Sequence, residues 1–219
     1  SNCDADCVDV LHGVLRQHAV ALWHGQTGLD GCDAVVLPGG FSYGDYLRTG
    51  AVARFSPIMR AVSRFAADGG LVIGICNGFQ ILLESGLLPG AMLPNTGLKF
   101  ICRFVTLRVE RTDTPFTNRF RVGQTVRMPI AHNEGRYTAD QPTLRGIRGQ
   151  VLFRYCKTDG QPDEAANPNG SAEGIAGITN RSGNVMGMMP HPERAAESVL
   201  GSVDGRLVFD SMIDALCHV

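Results

Sequence analysis

Residues 71–80 read Leu-Val-Ile-Gly-Ile-Cys-Asn-Gly-Phe-Gln, an apolar run of strand type that passes into a helical pattern through one cysteine. Few folds accept that junction. Gly74 and Gly78 lack side chains, so the strand and the helix can approach closely while Cys76 is pushed into a strained turn between them. The helix that follows, with Leu82 and Leu83, aims its free N–H groups and positive dipole end at the turn, an environment that activates a thiol and stabilises a developing oxyanion. Cys76 alone reads equally well as a small buried hydrophobe, as Cys102 and Cys156 do.

The rest of the chain supplies a frame for such an elbow. Residues 4–15 carry Val8, Leu11 and Leu15 on one helical face, and short apolar runs at 19–23 and 34–37 read as buried parallel strands. Apolar residues at 55, 58, 59, 62, 65 and 66 follow the helical period, with Gly69-Gly70 as the stop. Alternation of helix and strand predicts an α/β sheet with its ligand site at the carboxyl ends of the strands. Residues 99–110 and 151–156 read as further strands, partly antiparallel, Asn167-Pro168-Asn169-Gly170 as a turn, and 174–179 with 185–189 as a closing pair. A last helix places Val208, Met212, Ala215 and Leu216 on one face, for the core. One domain, residues 1–219, is the simplest organisation.

Twenty Lys and Arg against 21 Asp and Glu leave a net charge of −1, which excludes a general pull toward nucleic acid or an anionic membrane. Apolar runs far shorter than a bilayer span, and the lack of a signal pattern, predict a soluble, cytoplasmic protein. Seven cysteines, at 3, 7, 32, 76, 102, 156 and 217 with no Cys-x-x-Cys pair, argue against a disulfide framework or a zinc knuckle, so no metal is expected.

A thiol nucleophile needs a base. His191-Pro192-Glu193 follows the strand at 185–189, and in an extended segment positions 191 and 193 face one side, so the Glu193 carboxylate can fix the imidazole tautomer. His12, His18, His24 and His218 read as surface or helix-flank residues. Pro38-Gly39-Gly40 ends the strand at 34–37, where a loop without side chains can bring a backbone N–H to a substrate carbonyl; a plain turn is the alternative.

Pro-Gly-Gly, Gly-x-Cys-x-Gly-x-Gln and His-Pro-Glu, in this order, resemble the class I (triad) glutamine amidotransferases. Within that class, residues 38–48, 98–103, 166–171 and 187–194 resemble the glutaminase subunit of phosphoribosylformylglycinamidine synthase, over essentially the whole chain. The resemblance implies a flavodoxin-like, mostly parallel open sheet with helices on both faces. It also implies Cys76 as nucleophile, His191 as acid and base, Glu193 as its orienter, and the N–H groups of Gly40 and Asn77 as oxyanion donors. Gln80 takes the position near bound glutamine, with helix packing as its alternative. Ammonia released from glutamine would pass to an ATP-using synthetase subunit that makes formylglycinamidine ribonucleotide, and a small third subunit is implied as well. No cofactor is expected in this chain: ATP and magnesium belong on the partner, since no Walker phosphate loop is present.

Two departures accompany the resemblance. Asn133 stands where the His-x-Glu-Gly segment at 132–135 carries Gly in the family. Family members also begin with a β-strand just before the Ser-Asn-Cys-Asp motif, here residues 1–4, which suggests an N-terminally truncated sequence lacking its first strand. Roles for Arg48, Arg54, Lys99, Arg103 and His132 do not emerge from the residues. A free-standing cysteine hydrolase of the same architecture and a catalytically inert interaction subunit stay open as alternative functions.

Overall fold

The computed structural model describes residues 1–29, 31–43 and 48–217; residues 44–47 of the family-like segment and His218 lie outside the described residues. The sheet comprises β1 (Ala34–Leu37), β2 (Leu71–Ile75), β4 (Ile101–Val109), β5 (Thr125–His132), β7 (Val151–Tyr155), β8 (Ile175–Thr179) and β9 (Val185–Met188). Its order is β1-β2-β9-β8-β7-β4-β5, and β3 (Ala91–Leu93) with β6 (Arg136–Thr138) forms a separate ribbon. β1, β2 and β9 run parallel, and the strands from β9 to β5 pair antiparallel. Every residue of β2 and β9 is buried, as expected of central strands covered on both faces.

Among the described residues the α-helices are α1 (Asp4–Val8), α2 (Pro57–Ala67), α3 (Asn77–Glu84), α4 (Gln141–Gly146) and α5 (Arg206–Cys217). Three glycines let α3 lie almost on the sheet. A Cβ added at Gly78 would stand 2.0 Å from the Leu37 carbonyl oxygen, one at Gly74 2.6 Å from Gly78, and one at Gly187 2.0 Å from the Phe79 ring. Backbone therefore meets backbone where the elbow forms. Phe79 and Leu82 are fully buried in this contact, each worth about 1.5–3 kcal/mol of apolar burial.

Several expectations fail locally. Residues 19–23 form no strand, and Val20 and Trp23 are 50% and 68% exposed. An apolar run becomes a strand only when a sheet edge hydrogen-bonds to it, and here Trp23 instead closes a turn with Gln26. β1 is half-buried rather than buried, because it is the last strand of its sheet. The first helix continues as a π-helical turn over Asp9–Val14, with Leu15 N–H bonded to Val10 O, so Cys7 and Val10 join Leu15 in the core and Leu11 packs half-buried against it, while Val8 is half-buried outside it. Phe55 is 74% exposed in a separate 3₁₀ turn, because Ser56 is extended and Pro57 starts α2. Cys102 is exposed rather than buried.

β5 has no counterpart in the sequence reading. Its Val126, Met128, Ile130 and His132 are buried in strict alternation. Pro129 in its middle argues against a central strand, and β5 is indeed an edge.

Candidate active site

Cys76 sits between β2 and α3 at φ 50° and ψ −103°, a conformation that non-glycine residues adopt at a cost of about 1–3 kcal/mol. The surrounding contacts hold it there. Its N–H donates to Met188 O at 2.8 Å, and its Sγ lies 3.8 Å from Ala131 O. Cys76 is buried, at 4% exposure. Asn77 opens α3, so its N–H belongs to the first turn, where no intrahelical acceptor exists.

His191 and Glu193 reach this point from the end of β9. His191 N–H donates to Pro129 O at 2.8 Å, so the unforeseen strand β5 is what anchors the histidine. Pro192–Ala195 is a 3₁₀ turn and not the extended segment expected, yet the His191 Nδ1–H still donates to Glu193 Oε1 at 2.5 Å. Both side chains are essentially inaccessible to water. Among the described residues neither His191 Nε2 nor Glu193 Oε2 has a hydrogen-bond partner, and the His191 ring interacts electrostatically with Cys76. Burial opposes a charge on His191, but the negative charges of Cys76 and Glu193 and the hydrogen bond to Glu193 outweigh it and raise His191 to about 10. The imidazolium is thus the form that this pocket favours at neutral pH.

The loop after β1 closes the site. A Cβ on Gly39 would stand 2.6 Å from His191 Cε1 and 3.4 Å from Cys76 Cβ, so the loop backbone touches both side chains. Gly40 has φ +103°, open to glycine alone. Its N–H has no acceptor among the described residues.

Gln80 is 4% exposed and links two elements: Oε1 accepts from Asn77 Nδ2 at 2.9 Å, and Nε2 donates to Glu134 O at 2.5 Å. Its position suits a structural tie between α3 and the loop after β5. His132 is buried in that region, with Nδ1 bonded to Asn95 Oδ1 at 3.1 Å, and burial first, then the His191 charge, lowers it to about 4. Arg48 pairs with the Glu84 carboxylate and Arg54 donates to Glu84 O, so both arginines are engaged within the chain. Lys99 and Arg103 are exposed, and Lys99 O accepts from Asn95 Nδ2 at 2.9 Å. Residues 1–3, legible in the sequence only as part of a family motif, also reach the site: Ser1 Oγ donates to Asn77 Oδ1 at 2.8 Å and Asn2 Oδ1 accepts from Phe41 N–H at 2.9 Å.

The arrangement suits nucleophilic acyl transfer, with a thiol, a charged acid–base partner, an orienting carboxylate and two free N–H groups. Comparison with known proteins agrees. Residues 1–206 match the CobB/CobQ-like glutamine amidotransferase domain family. Phosphoribosylformylglycinamidine synthase subunit PurQ of Moorella thermoacetica is 61% identical over 98% of this chain and 92% of its own length, and that of Gloeobacter violaceus is 57% identical over 97% and 93%. Among solved structures, a chain of PurLQS from Thermotoga maritima is 47% identical with a TM-score of 0.85, covering 99% of this chain and 94% of that one. The glutaminase domain of Trypanosoma brucei CTPS shares only the fold, at 12% identity and a TM-score of 0.63 over 98% of this chain and 87% of that one. The chain therefore belongs to the glutamine amidotransferases, on the branch of phosphoribosylformylglycinamidine synthase subunit PurQ.

Proposed function

We propose that this chain hydrolyses glutamine as the glutaminase subunit of phosphoribosylformylglycinamidine synthase. The observation that carries the proposal is the meeting of Cys76, His191 and Glu193 in one buried site under the Gly39-Gly40 loop. Cys76 thiolate attacks the side-chain amide carbon of glutamine, and the carbonyl oxygen takes the negative charge against the N–H groups of Gly40 and Asn77. His191 gives its proton to the departing amine, which leaves as ammonia, and a γ-glutamyl thioester remains on Cys76. Water then adds, losing its proton to His191, and glutamate departs as the thiolate reforms. Glu193 keeps Nδ1 protonated and stabilises the imidazolium. Gln80 fixes the loop beside the bound amino acid.

Ammonia is the useful product. It passes to a synthetase subunit, with a small third subunit in the assembly, and ATP and magnesium act there in converting formylglycinamide ribonucleotide to formylglycinamidine ribonucleotide. The cytoplasm is the compartment in which this assembly works; among the described residues no helix is long and apolar enough to cross a membrane. In the assembled enzyme, Cys76→Ala is expected to abolish product formation from glutamine while leaving that from added ammonium salt intact. Loss of both, or of neither, contradicts the proposal.

A further inference from the structure

We propose that Asn2 is a positioning residue for the oxyanion hole, clamping the Gly39-Gly40 loop so that the Gly40 N–H faces the reacting carbonyl. The inference rests on the glutaminase function above and goes beyond the triad. Two hydrogen bonds bracket Gly40: Asn2 Oδ1 accepts from Phe41 N–H at 2.9 Å, and Cys3 N–H donates to Gly39 O at 3.2 Å. Gly39 C=O and Gly40 N–H belong to one planar trans peptide, so they point in opposite directions. Holding the oxygen toward Cys3 therefore turns the Gly40 N–H away from Cys3. The other side of this loop is the one that meets Cys76 and His191.

Packing makes the clamp tight. A Cβ on Gly40 would come within 2.0 Å of Asn2 Oδ1, 2.8 Å of Asn2 N and 3.0 Å of Cys3 N, so the loop and residues 2–3 are in direct backbone contact. Phe41 N–H is consumed by Asn2, whereas the neighbouring Gly40 N–H has no acceptor among the described residues. Ser1 Oγ reaches the second donor residue through Asn77 Oδ1 at 2.8 Å. The same segment is fastened beside the triad, where Arg194 pairs with Asp6 at 3.0 Å and donates to Cys3 Sγ at 3.0 Å. Residues 1–3 thus touch both candidate oxyanion donors and the turn that carries His191.

The test is Asn2→Ala in the full-length protein assembled with its synthetase, read by steady-state glutaminase kinetics and by the rate at which iodoacetamide alkylates Cys76. Alkylation displaces iodide at a saturated carbon and builds no oxyanion against the loop, so it reports the thiol and histidine alone. Loss of an oxyanion donor costs about 10²–10³ in kcat, so loosening one is expected to lower kcat about tenfold or more, with KM and the alkylation rate within about twofold of the parent. Asn2→Ser, whose hydroxyl is too short to reach Phe41 N–H, gives the same split in a less perturbed chain. Unchanged kcat in both variants overturns the inference, as does a parallel fall in kcat and alkylation. A parent enzyme that alkylates but does not hydrolyse glutamine refutes the functional proposal instead.

Discussion

Cys76 at φ 50° is held in place by its neighbours, and its reactivity depends on what His191 and Glu193 do to each other. Glu193→Gln keeps the shape of the side chain but removes the charge that helps to raise His191 to about 10. The variant is expected to lose about 10²–10⁴ in kcat. Its alkaline limb also moves to lower pH, because His191 gives up earlier the proton that ammonia needs. A pH profile of kcat in parent and variant checks both; an alkaline limb that stays in place removes Glu193 from this role. His132 behaves oppositely. Burial, with the His191 charge, holds it at about 4, below the usual 6.5 of an unfolded chain. Its contribution is complete above pH 6.5 and is lost as pH falls toward 4, by at most about 3 kcal/mol. Denaturant unfolding of the parent and of His132→Asn should show a stability gap at pH 7 that narrows at pH 5; a constant gap contradicts a neutral buried His132.

The elbow is an agreement between elements as much as a motif. Gly78→Ala drives a methyl to within 2.0 Å of Leu37 O, backbone against backbone, so α3 must lift from β1 at a cost of about 3 kcal/mol or more. Gly146 in α4 has nothing within 4 Å of an added Cβ, and Gly146→Ala is expected to leave stability unchanged or raise it by up to about 1 kcal/mol. Thermal unfolding of the two variants checks the contrast; equal effects would show that close approach at Gly78 is not limiting. β2 and α3 were legible in the sequence because strand, glycines and helix are all local there. β5 was not, since Pro129 masks its alternation, and an edge position tolerates a proline that a central strand would not. Residues 19–23 failed for the opposite reason, being apolar without a ladder to join.

Across the whole molecule, residues far apart in the chain make one site. Cys76 comes from β2, His191 and Glu193 from beyond β9, the Gly39-Gly40 loop from β1, and Pro129 and residues 1–3 supply the anchors. The triad was legible as three short motifs. The anchors were not, because a carbonyl of β5 and an asparagine side chain near the start of the chain act through contacts that no local pattern encodes. The most direct measurement is peptide-level mass spectrometry of the assembled enzyme after treatment with a glutamine-analogue alkylator, with and without excess glutamine. One adduct per chain, on Cys76 and suppressed by glutamine, is the predicted result. An adduct on another of the seven cysteines, or labelling of Cys76 that glutamine does not slow, contradicts Cys76 as the glutamine nucleophile.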